Sequence, residues 1–195
     1  YKKRLSYLYH QLMAQQPDKK ELYMPLAEKY SFEAAQMDSK NPLFLVSYAQ
    51  LLHSALRYDE AIPYYEKVFT YDSKMLEAPY NLGDIYFRKG LTKKSLEKYL
   101  FVYDSNPDYQ YTRTALGQIY LLTNNYPKAI AILEVALKKH PTHSSTSRLL
   151  AYAYHNTRRF KEATTLYRDL LKQTPNDKAL INLLRSASQN KRPKK

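Results

Sequence analysis

The chain has 195 residues, of which 44% are apolar, and its 31 basic and 18 acidic side chains give a formal net charge of +13. That apolar share is enough to build a core, which excludes disorder throughout. Cysteine is absent and only three glycines occur, which removes disulfides, thiolate nucleophiles, cysteine zinc sites and most glycine-rich phosphate loops.

No apolar run approaches the roughly 18 residues that a membrane span requires. The opening Tyr1-Lys2-Lys3-Arg4 suits a basic helix start, and equally a stretch just inside a membrane. The lack of cysteine permits cytoplasm and periplasm alike, so a leader or anchor ahead of Tyr1 would decide the compartment. Residues 2–16 and 21–41 read as a first pair of helices, in which Ala27 and Ala34 keep phase with Ala61 and Val68.

From residue 42 onward five columns recur every 34 residues. One small residue stands at Ala49, Gly83, Gly117 and Ala151, and a second at Ala61, Ser95, Ala129 and Ala163. A large residue follows the first at Leu52, Tyr86, Tyr120 and Tyr154, and Tyr48, Leu82, Leu116 and Leu150 precede it. Prolines close three units at Pro107, Pro141 and Pro175. Spacings of three and four put Leu82, Gly83 and Tyr86 on one helical face, and Ser95 and Tyr99 on one face of the next helix. Each unit is therefore two amphipathic helices joined by a short turn such as Arg88-Lys89-Gly90. The small residues let the two helices approach closely. Asp59 is expected to cap a second helix, and Ser144 to Ser147 to cap a first one.

These residues resemble the tetratricopeptide repeat family, whose pattern runs W-x₂-L-G-x₂-Y, A-x₃-F and P. The fullest match is Leu82-Gly83-x-x-Tyr86 with Ser95-x-x-x-Tyr99 and Pro107; Leu116-Gly117-x-x-Tyr120 and Leu150-Ala151-x-x-Tyr154 follow. The tryptophan slot is held instead by Leu45, Pro79, Arg113 and Ser147. The resemblance implies an all-α fold, a right-handed superhelical array of antiparallel helix pairs. The expected division is a divergent pair over 1–41 and repeats over 42–75, 76–109, 110–143 and 144–177. A capping helix over 178–190, with Ile181, Leu184 and Ala187 facing inward, and a basic tail over 191–195 complete it.

Catalysis has no foothold in these residues. Gly83 and Gly117 are packing positions and Gly90 a turn, so none is left for a phosphate loop. His140 and His143 are separated by Pro141 at a unit boundary, without a third ligand, and His10, His53 and His155 read as isolated. No metal or cofactor is expected, nor any enzymatic activity.

Two surfaces remain. In the resembled family the first helices of the pairs form the inner face. Here that face would carry Leu43, Val46, Tyr80, Asp84, Phe87, Tyr111, Gln118, Leu121, Arg148 and Tyr152. A solvent-facing stripe this apolar suits a groove for a peptide or helix of a partner protein. The lysine and arginine clamp by which some members hold the carboxylate of chaperone tails is missing, and Asp84 would repel that carboxylate. The second surface is electrostatic. Residues 110–195 hold sixteen basic and four acidic side chains, with Lys138, Lys139, Arg158, Arg159, Lys161, Arg168, Lys172 and Arg185 prominent. Such a field attracts an acidic protein partner, and also an anionic membrane surface or nucleic acid. The expected function is a scaffold or adaptor, with electrostatic docking to membrane or nucleic acid as the alternative.

Overall fold

A computed structural model of the chain describes residues 2–191. Tyr1 and the end of the basic tail, residues 192–195, lie outside the described residues. The chain divides into two compact units, the first ending at Ser105 and the second beginning at Asn106.

The first unit holds six helices: α1 (Lys2–Gln15), α2 (Lys20–Met37), α3 (Pro42–Ser54), α4 (Tyr58–Tyr71), α5 (Glu77–Arg88) and α6 (Thr92–Ser105). A short 3₁₀ turn, Pro17–Lys19, links the first two. The second unit holds α7 (Thr112–Leu122), α8 (Tyr126–Lys139), α9 (Ser144–Asn156), α10 (Phe160–Gln173) and α11 (Lys178–Ser188). No strand occurs among the described residues. Within each unit consecutive helices pack on one another, so each unit is built from adjacent helix pairs.

The periodic residues explain the pairing. Ala49, Ala61, Ala129, Ala151 and Ala163 are all fully buried at the helix contacts. A side chain at Gly83 would place its Cβ 3.0 Å from the Tyr99 ring, and one at Gly117 would come within 2.5 Å of Leu133. Ser95 fits the same small-residue column because its hydroxyl donates to the Gly83 carbonyl at 2.8 Å, which satisfies a buried polar atom. Around these contacts Tyr65, Leu82, Leu116, Leu133, Leu150 and Tyr167 fill the cores.

The turns repeat as closely as the cores do. Leu56, Gly90, Asn124 and Arg158 stand 34 residues apart, and all four have positive φ, at 61°, 73°, 56° and 65°. In each case the next amide bonds back to a carbonyl five residues earlier: Arg57 to Leu52, Leu91 to Tyr86, Asn125 to Tyr120 and Arg159 to Tyr154. This left-handed closure satisfies carbonyls that a helix end leaves open. Only Gly90 takes it without steric cost.

Several local expectations change. Asp59 does not cap α4: Arg57 occupies that position without a side-chain bond, and Asp59 pairs with Lys89 at 2.5 Å. The hydroxyl run does not cap α9 either, because the cap position is His143. Asn41, Asn125 and Asp177 are side-chain caps instead, accepting from Leu43, Lys128 and Leu180. In α11 the buried residues are Leu180 and Ala187, whereas Ile181 and Leu184 are half-buried. Leu184 and Ala187 pack on the second core as expected, and Leu180 takes the place expected of Ile181.

Candidate functional site

In the first unit the expected groove residues separate by depth. Leu43 opens α3 and is 62% exposed, whereas Val46, one turn on, is 5% exposed and belongs to the core. Tyr80 and Phe87 are half-buried on α5, and Tyr80 meets the Tyr99 ring edge-on at 5.4 Å between centroids. Val46 therefore offers no open surface, while Leu43, Tyr80 and Phe87 do.

Asp84 pairs with two residues that line a polar cleft. His53 lies 3.0 Å from its Oδ2 and Arg88 donates Nε to the same oxygen at 2.7 Å. Those two hydrogen bonds hold the Asp84 carboxyl below its usual range, against the burial that would raise it. Beside them Gln50 donates to Glu77, and burial raises the Glu77 carboxyl despite that bond. Asn81 gives its amide to the Glu77 main-chain carbonyl at 2.9 Å. Gln50, His53, Ser54, Leu56, Tyr58, Tyr65, Asn81 and Arg88 line the cleft, whose volume is about 330 Å³. Tyr65 is 0% exposed and its hydroxyl has no hydrogen-bond partner.

In the second unit Tyr111 is 48% exposed at the start of α7. Its ring stacks on His143 with centroids 4.2 Å apart and planes 8° from parallel, and it meets His140 edge-on. The two histidines thus support an aromatic platform. No group of three metal-binding side chains occurs among the described residues. Gln118 is exposed and Tyr152 half-buried. Leu121 is 9% exposed and belongs to the second core, while its neighbour Leu122 is 60% exposed. Arg148 is engaged within the unit, donating to Asp177 at 2.9 Å.

The basic side chains are all exposed, on α8, α10, α11 and the α9–α10 turn. Some are neutralised locally. Lys139 joins Arg113 on Asp108, and both lower that carboxyl. Arg159 reaches Glu134 and Glu162, and Lys172 reaches Asp169. Lys138, Arg158, Lys161, Arg168 and Arg185 have no acidic partner among the described residues. Arg158, Arg159, Phe160, Lys161, Glu162 and Asn190 surround an open cleft of about 650 Å³.

Sequence reasoning missed the cleft chemistry at Tyr65 and Asn81, and it missed the buried His155. Histidine stands at 53 and 155, three periods apart, and each is followed twelve residues later by a tyrosine of the core column. That coincidence was the available signal. His155 is fully buried; its Nε2 donates to the Lys191 carbonyl at 2.6 Å, so Nδ1 accepts from the Tyr167 hydroxyl at 3.4 Å. Neither histidine is isolated.

Tetratricopeptide repeat models match residues 49–109, 80–144 and 124–187. No curated protein matches the sequence as a relative. Among solved structures the chain is similar to YrrB, described as a TPR protein with an unusual peptide-binding site, with 16% identity, 82% of each chain covered and a TM-score of 0.74. It is likewise similar to TTC0263, a thermophilic TPR protein of Thermus thermophilus, with 22% identity, a TM-score of 0.65 and 97% and 100% of the two chains covered. MamA from Desulfovibrio magneticus superimposes with a TM-score of 0.73 at 18% identity, over 89% of this chain and 97% of that one. With the 34-residue columns packed inside the helix pairs and the family models spanning most of the length, the chain belongs to the tetratricopeptide repeat family.

Proposed function

We propose that the chain is a non-catalytic scaffold that holds a peptide or helix of a partner protein on the first-helix faces of its repeats. The fold suggests a protein–protein interaction scaffold, and repeats of this family are typically non-catalytic interaction modules. The observation that carries the reading is apolar and aromatic surface on those helices: Leu43, Tyr80 and Phe87 in the first unit, Tyr111, Leu122 and Tyr152 in the second. Rigid rings held in place by their own unit supply contact area at low entropic cost. Gln118 and Asp84 add polar contacts to the same faces.

The basic surface serves the same partner through charge. Residues 106–195 carry sixteen basic and five acidic side chains, against fifteen and thirteen in residues 1–105. The five unpaired cations on α8, α10, α11 and the adjoining turn would steer an acidic segment toward the second unit.

Affinity capture from the source cell tests the reading. Replacing Tyr80 and Phe87 with Ser should abolish recovery of the partner while circular dichroism shows unchanged helicity. Unchanged capture rejects the groove. Reversing Arg158, Lys161 and Arg168 to Glu should slow association and remove its salt dependence; capture of lipid vesicles or nucleic acid, but of no protein, would favour the electrostatic alternative.

A further inference from the structure

We infer that the polar cleft of the first unit, between α3 and α5, takes the side-chain carboxamide of an asparagine or glutamine from the partner peptide. This rests on the groove reading above and specifies what the groove selects.

Tyr65 lines the cleft, and its hydroxyl is fully buried and has no partner. Burial raises the phenol well above its usual range, so it is a neutral donor waiting for an acceptor. Two acceptors stand on the same face of α5, three residues apart. They are Asn81 Oδ1, whose amide nitrogen is already committed, and Asp84 Oδ1, whose other oxygen receives His53 and Arg88. The cleft therefore offers one free donor and acceptors beside it.

Charge narrows the occupant. A carboxylate would be repelled by Asp84 and Glu77, and an ammonium or guanidinium carries no acceptor for the Tyr65 hydroxyl. A neutral group with a separate donor and acceptor satisfies both sides, and a carboxamide is that group. Its carbonyl accepts from Tyr65 and its N–H₂ donates to Asn81 or Asp84. Tyr65 lies below the reach of solvent. Reaching it requires the cleft wall to give, and a slender side chain asks less of that wall than a main-chain amide, which carries chain on both sides.

The second unit supplies an internal precedent. Three periods on, Phe160, His155, Tyr167 and Ser186 stand where Tyr58, His53, Tyr65 and Asp84 do. The amide carbonyl of Lys191 accepts there from His155 Nε2 at 2.6 Å and from Ser186 Oγ at 3.1 Å. The chain itself thus places an amide carbonyl against the equivalent histidine and satisfies the second unit from within.

Four capped peptides, acetyl-Ala-X-Ala-N-methylamide with X as Gln, Ala, Glu or Lys, test the assignment by NMR titration of the full chain with ¹³C-labelled tyrosine. The Gln peptide should shift the Tyr65 ring signals saturably and bind at least about fivefold tighter than the other three, as sites built on buried hydrogen bonds discriminate. Tyr65→Phe should reduce Gln binding to the level of the Ala peptide without lowering thermal stability. Equal affinity of the Ala peptide would assign the site to main chain and overturn the proposal. So would tighter binding of Glu or Lys, or no movement of Tyr65. If those results came with partner capture still dependent on Tyr80 and Phe87, the groove would stand and the carboxamide alone would fall. Gln-selective shifts with capture indifferent to Tyr80 and Phe87 would reverse that outcome.

Discussion

His53 with Tyr65 in the first unit and His155 with Tyr167 in the second are the same two positions of the repeat, three periods apart, yet their surroundings differ. His155 is sealed between the Phe160 and Tyr167 rings, with both nitrogens engaged inside the unit. His53 is turned edge-on to Tyr58 and Tyr65 but points Nε2 at Asp84, and the tyrosine hydroxyl is left over. The helix packing is alike, so packing did not set the difference. What differs is the neighbouring helix: α5 brings Asp84, Asn81 and Arg88, while α11 brings Ser186 and leads back to the Lys191 carbonyl. A repeat can keep its core and exchange only the polar groups at one edge, and in doing so open or close a site.

The largest effect should separate the two histidines. His155→Ala removes a buried ring and its bond to Lys191, and should cost about 3 kcal/mol in denaturant unfolding. His53→Ala, at a partly exposed site, should cost less than about 1 kcal/mol. Equal losses would mean that the two pairs carry the same structural load.

Gly117→Ala should come next, at about 2 kcal/mol, because its Cβ would overlap Leu133 and overpack the second core. Gly83→Ala meets the flat Tyr99 ring at 3.0 Å and should cost about half as much. Calorimetry of the two variants orders them.

Acid should also act unequally. Burial lowers the His155 imidazole from its ordinary value of 6.5, although its bond to Lys191 works the other way. Burial and the neighbouring His140 lower His143 as well. A depressed histidine binds fewer protons folded than unfolded, so its stabilisation is complete above about pH 6.5 and declines as the pH falls below that. Thermal unfolding between pH 7.5 and 5 should therefore show a loss, and His155→Gln should flatten part of it. Asp84 and Asp108 are lowered from 3.8, so the stabilisation they supply is lost only below about pH 4.

A smaller gain should appear in both units alike. Leu56 and Arg158 hold φ at 61° and 65° with full side chains, which costs roughly 1 kcal/mol each relative to glycine. Leu56→Gly and Arg158→Gly should each raise the melting temperature by a few degrees. A rise in only one unit would show that the turns are not equivalent.

Most of this architecture was legible in the sequence because its causes are local and repeated. A small residue every 34 positions, a large one beside it and a proline at the boundary are packing requirements that each unit states again. The apolar faces were legible in part. Tyr80, Phe87 and Tyr111 stand at open surface, but Val46 and Leu121 were drawn into the cores, because helical spacing cannot tell the rim of a buried face from its interior. The caps were misassigned to Asp59 and Ser144–Ser147 because the cap positions, Arg57 and His143, lie one or two residues before them. The cleft was not legible. Tyr65 occupies a column that also holds Tyr99, Leu133 and Tyr167, so its ring reads as core. Whether its hydroxyl finds a partner depends on residues twelve to nineteen positions away on other helices.

The most direct measurement compares Tyr65→Phe with Tyr167→Phe in the same thermal unfolding experiment. Removing a buried hydroxyl that bonds nothing is neutral or stabilising, whereas removing one that is bonded costs roughly 0.5–1.5 kcal/mol. Tyr65→Phe should therefore leave the melting temperature unchanged or raise it, while Tyr167→Phe lowers it. Equal losses in the two variants would show that both hydroxyls are satisfied within the chain, and that the first unit keeps no open site for a partner.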